Sequence, residues 1–295
     1  MVTVYFLIGI RQQYYTVFRK KNFSLFTEDD LSMKLTQIRN ATNRLEYAGK
    51  VFLIDPWLAP RHQFAFADIP GMPFHVPDPM KEHLPMPFYN LPLPVENILR
   101  DVDYYLVTHI HPDHIDMAQD GTVGAPLDKN VPVICQNGQD AAVFRKSGFA
   151  EVIVLSNQGT ELDSLKITAV PARHGTVIPC GDAMGVMFES PLEKTFYLAG
   201  DTVWYPAIQE TLQKYKPEVV ALNCCAAETT ENGRLIMNDE DVHCVAKTLP
   251  SARLYLTHFD NVAHASITRH TMKGSLTKRG IANYDMPLDG KSVTY

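Results

Sequence analysis

The chain has 295 residues, 45% of them hydrophobic and 20% charged, enough for a large single domain with a full core. Its net charge of −6 and pI of about 6.0, with no Lys/Arg cluster or basic tail, argue against a nucleic-acid footprint and for a small or neutral substrate. No run of about 20 apolar residues marks a transmembrane helix. The five cysteines are odd in number and lack CxxC spacing, which points to free thiols in a reducing cytoplasm rather than a disulfide framework.

The first ten residues, Met1–Ile10, are apolar but lack a preceding basic residue and a small-residue cleavage site, so they do not read as a signal peptide. Met33 opens an ordinary first strand. Residues 1–32 are therefore expected to be an extension, either an arm packed on a neighbour in a homo-oligomer or the product of an upstream start codon. Short strands are predicted over 34–39, 44–47 and 50–54, with Ala48-Gly49 as a hairpin turn.

Residues 56–94 then carry ten of the twenty prolines, which rules out a regular helix or central strand. Long irregular segments in compact domains are usually functional. This one reads as an insertion that either covers a site or forms a surface strap or oligomer arm. His62, His75 and His83 lie in it.

A strand over 102–108 runs into Thr108-His-Ile-His-Pro-Asp-His-Ile-Asp116, which places His109, His111, Asp113 and His114 within six residues. Three imidazoles and a carboxylate at a strand end can hold two divalent metals side by side. Strands are further predicted over 131–135, 152–155, 165–171, 183–189, 195–199, 219–223 and 253–257. Helices are predicted over 138–147, 203–215, 239–249 and 266–278. Early consecutive strands followed by mixed units suggest an α/β architecture of two sheets with helices outside.

Three more candidates each follow an apolar strand: His174, Asp201 and His258. Strand ends can converge on one rim, where loops present side chains from a rigid base. Together the seven residues suffice for two metals of four to five ligands each, with water completing the shells. Zinc or manganese would suit imidazole and carboxylate donors without thiolate. His264, six residues past His258, could replace it or point into the pocket; His258 is favoured because it follows the strand directly. Asp116 could orient His114 or cap the next turn, and Trp204 and Tyr205 are candidates for a pocket wall or for helix packing.

The HxHxDH run 109–114, with His174, Asp201, His258 and the upstream Leu53-Ile-Asp-Pro-Trp57, resembles the metallo-β-lactamase superfamily of hydrolases over residues 33–295. Within it the chain looks most like the ascorbate-6-phosphate lactonase-like branch. The resemblance implies an αββα sandwich with the site at one edge of two mixed sheets. It implies His109, His111 and His174 on a first metal, Asp113, His114 and His258 on a second, Asp201 bridging them, and Asp55 orienting a ligand from behind. Members often carry Gly-His where Arg39-Asn40-Ala41-Thr42 stands here.

The bridging acid resembles the pattern of lactonases, ribonucleases and phosphodiesterases rather than the cysteine-containing set of common zinc β-lactamases. His111 argues against di-iron redox relatives. The expected activity is binuclear, metal-dependent hydrolysis of a small ester, lactone or phosphoester by a metal-bridging hydroxide. Asp201 and Asp113 are the expected catalytic carboxylates, Asp113 as a proton carrier or as a plain ligand. The alternatives are an RNA-processing or phosphodiesterase member of the same superfamily, and a non-catalytic metal-binding module. No nucleic-acid or membrane partner is expected.

Overall fold

A computed structural model describes residues 15–19, 22–26, 32–69, 75–162 and 165–295. Of the extension expected over residues 1–32, the described part is chiefly the backbone of an antiparallel pair, β1 (Tyr15–Arg19) and β2 (Asn22–Phe26). Met1–Ile10 lies outside the described residues.

The first half of the domain runs β3 (Lys34–Arg39), β4 (Thr42–Tyr47), β5 (Lys50–Ile54), α1 (Val95–Ile98), β6 (Tyr104–Leu106), β7 (Val133–Cys135), α2 (Gly138–Lys146) and β8 (Val152–Val154). The second half runs β9 (Thr160–Leu162), β10 (Leu165–Pro171), β11 (Met184–Glu189), β12 (Phe196–Leu198), α3 (Pro206–Tyr215), β13 (Val219–Asn223), β14 (Glu228–Thr229), β15 (Gly233–Arg234), α4 (Asp239–Thr248), β16 (Arg253–Thr257), α5 (Arg269–Lys278), β17 (Tyr284–Asp285) and β18 (Ser292–Thr294). The expected turn at Ala48-Gly49 is present, with both residues at positive φ, 50° and 74°.

These elements make two seven-stranded mixed sheets, ordered β18-β3-β4-β5-β6-β7-β8 and β17-β16-β13-β12-β11-β10-β9. The αββα sandwich expected from the sequence is thus the observed architecture. Strand alternation assigns each side chain to a layer. In β5, Phe52 and Ile54 face the second sheet while Val51 and Leu53 face α1 and α2. In β13, Val219 and Ala221 face the first sheet while Val220 and Leu222 face the helices on the other side. Phe188 joins the two sheets: its ring meets Phe52 at 5.3 Å and Tyr47 at 5.6 Å, edge to face in both cases.

Several boundaries differ from the sequence reading. The helix expected from residue 203 starts at Pro206, because proline fits the first helical position and Tyr205 is extended as its N-cap. The last helix starts at Arg269, behind a Thr268 cap. The sequence reading missed β18, which closes the first sheet against β3 through Ser292↔Thr36.

Pairing directions decide where the site lies. β3, β5, β6, β7 and β8 run one way in the first sheet, and β10, β12, β13, β16 and β17 run together in the second. Their C-terminal ends deliver Asn40, Asp55, His109, His174, Asp201, Asn223 and His258 to the site. Asn40, Asp55 and His258 sit at φ of 47°, 43° and 70°, a left-handed conformation that costs a non-glycine residue on the order of 1 kcal/mol or more.

The proline-rich segment forms no regular helix or sheet strand in its described part, only short 3-10 turns and a bridge of Phe64 to Met86. It is packed into the molecule, with Trp57, Phe66, Val76 and Met86 buried against the outer face of the second sheet and its helices. Among the described residues no helix is long and apolar enough to cross a membrane.

Candidate metal centre

All seven residues predicted as metal ligands meet at the shared edge of the two sheets. Three groupings have donor atoms close enough to hold an ion: His109, His111 and His174; His109, His114 and Asp201; and Asp113, His114 and His258. Asp201 lies between them. Its Oδ2 is 3.2 Å from His114 Nε2, 3.7 Å from His174 Nε2 and 3.9 Å from His109 Nε2, and its Oδ1 is 3.8 Å from His258 Nε2. His264 belongs to none of the three groupings, so the geometry favours His258 over it beside Asp113 and His114.

Four of the five imidazoles are anchored through Nδ1 and present Nε2 inward. His114 Nδ1 meets Asp55 Oδ2 at 3.0 Å, and His174 Nδ1 meets the Leu235 carbonyl at 3.1 Å. His109 Nδ1 meets Thr108 Oγ1 at 3.1 Å, and His258 Nδ1 meets Cys225 Sγ at 3.5 Å. Such outer partners fix ring orientation and tautomer for ligand chemistry. His111 instead turns Nδ1 inward, 2.9 Å from His109 Nε2. The Asn223 amide donates to Asp201 Oδ1 at 2.6 Å. Asn40 reaches Asp113 Oδ2 at 3.3 Å and His258 Nε2 at 3.2 Å.

The electrostatics follow from burial and crowding. Burial, then His114 and His111, push His109 well below its usual range; burial and His174 lower His111 to about 3. Burial also lowers His174. Burial opposes charge on Asp113 and Asp201, but the surrounding imidazoles outweigh it and hold both carboxyls well below normal. His114 is the exception: burial opposes its charge, but Asp201, Asp55 and Asp113 raise it well above 6.5. His109, His111 and His174 are thus held neutral beside the ionised carboxylates of Asp113 and Asp201, with His114 protonated between them. These imidazole and carboxylate donors suit a divalent metal, which would take the place of the His114 proton.

A cavity of about 50 Å³ opens onto this cluster. His111, Asp113, His174 and Asp201 form its floor, and Phe66, Pro112, Cys180, Leu235 and His264 its walls. Among the contributors the sequence reading missed are Thr108, Cys180, Asn223, Cys225 and Leu235. Nothing in a lone thiol or leucine marks such a role. Asp116 does not orient His114; its carboxylate accepts the Leu58 amide at 2.9 Å and ties the proline-rich segment to the histidine loop. Trp204 and Tyr205 pack against the core rather than lining this cavity, and His62, His75 and His83 are exposed away from it.

Residues 51–259 match the Beta-lactamase superfamily domain. The UPF0173 protein YddR of Bacillus subtilis (strain 168) is 35% identical over 268 residues, covering 89% of this chain and 100% of that protein. The crystal structure of an isothiocyanate hydrolase from Delia radicum gut bacteria superposes with a TM-score of 0.77 at 36% identity, covering 89% of this chain and 99% of that one. A possible metal-dependent hydrolase from Veillonella parvula DSM 2008 superposes with a TM-score of 0.80 at 30% identity, covering 90% and 100%. These relatives do not point to the ascorbate-6-phosphate lactonase branch.

Proposed function

We propose, for a chain that belongs to the metal-dependent hydrolases of the β-lactamase superfamily, that its buried centre binds two divalent ions and hydrolyses a small ester, lactone or phosphoester. The observation that carries this reading is the Asp201 carboxylate, which faces both halves of the cluster at once. In this reading His109, His111 and His174 would hold one ion and Asp113, His114 and His258 the other, with Asp201 placed to serve both. Zinc or manganese bound there supplies a hydroxide at neutral pH and a Lewis acid.

The chain's own residues do the positioning. Asp55, Thr108, Cys225 and the Leu235 carbonyl keep four rings from turning away. Asn223 orients Asp201, and Asn40 steadies Asp113. Phe66, Pro112 and Leu235 give the cavity apolar walls, which strengthen the polar interactions at its floor. Only a compact reacting group fits a space of about 50 Å³, so the rest of a substrate would lie outside.

A second reading is favoured by the 36% identity to an isothiocyanate hydrolase. An isothiocyanate carbon is a compact linear electrophile of the right size. Water adds to that carbon, the nitrogen takes a proton, and the resulting thiocarbamic acid splits into an amine and carbonyl sulfide.

The test is turnover by the full chain, stripped with a chelator and reloaded with zinc or manganese, on lactones, esters, phosphodiesters and benzyl isothiocyanate. Activity that is lost on stripping and regained on loading supports hydrolysis, and the preferred substrate selects the reading. A loaded protein that turns over none of them would be a metal-binding module. Salt-sensitive binding of tRNA would favour the RNA-processing alternative.

A further inference from the structure

His264 is the one side chain on the cavity wall, among the described residues, that carries a strong hydrogen-bond donor without belonging to the metal-holding set. The other wall residues, Phe66, Pro112, Cys180 and Leu235, offer apolar surface or a weak thiol. His264 is only 8% exposed, and its ring stands edge-on to Phe66 at 5.1 Å. Its Nδ1 has no hydrogen-bond partner among the described residues. Its Nε2 is 3.8 Å from Asp113 Oδ2, beyond hydrogen-bond reach. An imidazole buried with an unpaired nitrogen is costly, so its place on a cavity wall needs a reason.

The loop that carries it is held from several sides. Arg269 pairs with Asp260 at 2.8 Å, and the Asn261 amide donates to Asp289 at 3.1 Å. The Ala263 amide meets Met86 Sδ at 3.0 Å, and the His264 carbonyl accepts the Glu228 amide at 3.1 Å. The ring is therefore placed in advance rather than recruited. Nε2 is the ring nitrogen nearer the cavity floor, 3.8 Å from Asp113 Oδ2, so it is the one placed to donate into the cavity.

We propose that His264 Nε2–H donates a hydrogen bond to the polar atom of the substrate on which negative charge develops, so that it selects and stabilises the reacting group. The proposal rests on the hydrolase reading above. A fixed donor needs no reorganisation as that charge appears.

The test uses sodium thiocyanate, a linear anion with the atoms of an isothiocyanate group, as a probe of the metal-loaded full chain. Metal per chain, thiocyanate affinity and the probe's C≡N stretching frequency are measured for the wild type, His264→Phe and His264→Gln. Expected are unchanged metal content in both variants, and affinity weaker by about two- to tenfold in His264→Phe, the scale of one hydrogen bond. The stretch should shift in His264→Phe and be partly restored by the amide donor in His264→Gln. Wild-type affinity with an unshifted stretch in both variants would overturn the proposal. So would loss of bound metal in both, which would make His264 a ligand. A wild type that takes up no metal would overturn the hydrolase reading itself, and this proposal with it.

Discussion

Asp55 Oδ2 lies 3.0 Å from His114 Nδ1, and the same carboxylate accepts the Thr108 amide at 2.7 Å. One buried acid at the end of β5 thus fixes both Thr108, just before the histidine run, and the ring of His114 at its far end. Asp55→Asn replaces one of the two acceptor oxygens with an NH2 group, so Thr108 and His114 can no longer both donate to it. Metal affinity should fall roughly 10- to 100-fold, in line with other outer-shell losses. Competition titration against a chromophoric chelator measures it, and unchanged affinity would deny Asp55 its orienting role.

Acid should destabilise the metal-free protein well before Asp113 and Asp201 titrate, with four lowered imidazoles outweighing Glu193, which burial raises to about 7 and which opposes them between 7 and 4.5. His109, His111, His174 and His264 have folded pKa values below the ordinary 6.5. Between 6.5 and those folded values the unfolded chain binds more protons, so stability falls as pH falls. Asp113 and Asp201, depressed below 3.8, contribute above that value and lose their contribution as pH drops through their folded pKa. His114 is raised above 6.5, so its contribution is complete below 6.5 and fades as pH rises through its folded value. Urea midpoints of the stripped protein at about pH 7 and about pH 5 check the acid side. Metal uptake should also displace the His114 proton, which calorimetry in buffers of different ionisation enthalpy detects.

The fold and the donor set were largely legible because both rest on local signals. Short apolar runs bounded by turn residues marked β3, β5, β10, β13 and β16 at their observed bounds, and the candidate ligands His109, His174, Asp201 and His258 stand next to apolar strands. What was not legible depends on distant contacts. The Leu235 carbonyl behind His174 comes from the chain beside the β14–β15 hairpin, and Cys225 reaches His258 across neighbouring strand ends. The two-residue strands β14, β15 and β17 are too short to show a period. The choice between His258 and His264 needed positions in space, because both lie on the same loop after β16.

Phe188 should matter for stability and not for metal. Its ring fills the layer between the sheets, against Phe52 and Tyr47. Phe188→Ala should cost about 3–5 kcal/mol in chemical denaturation, because the packed surroundings cannot collapse onto the void. Metal content per folded chain should stay the same. A variant with near wild-type stability would show that the two sheets are packed more loosely than described.

The thiols should separate into two classes. Cys135, Cys224 and Cys225 are buried, whereas Cys180 and Cys244 are partly exposed. Burial raises the Cys180 thiol to about 11, so even this wall residue should react slowly. A thiol reagent should modify at most Cys180 and Cys244 in the native protein and all five cysteines in denaturant. Rapid native modification of Cys225 would contradict its place behind His258.

The central claim is a two-ion centre joined by Asp201. Its most direct measurement is the number of zinc or manganese ions bound per chain, by elemental analysis after equilibrium dialysis, for the wild type and Asp201→Ala. The account predicts two ions per wild-type chain and a weakened or incomplete complement in the variant. A single ion in the wild type, or two ions held equally tightly without Asp201, would contradict it.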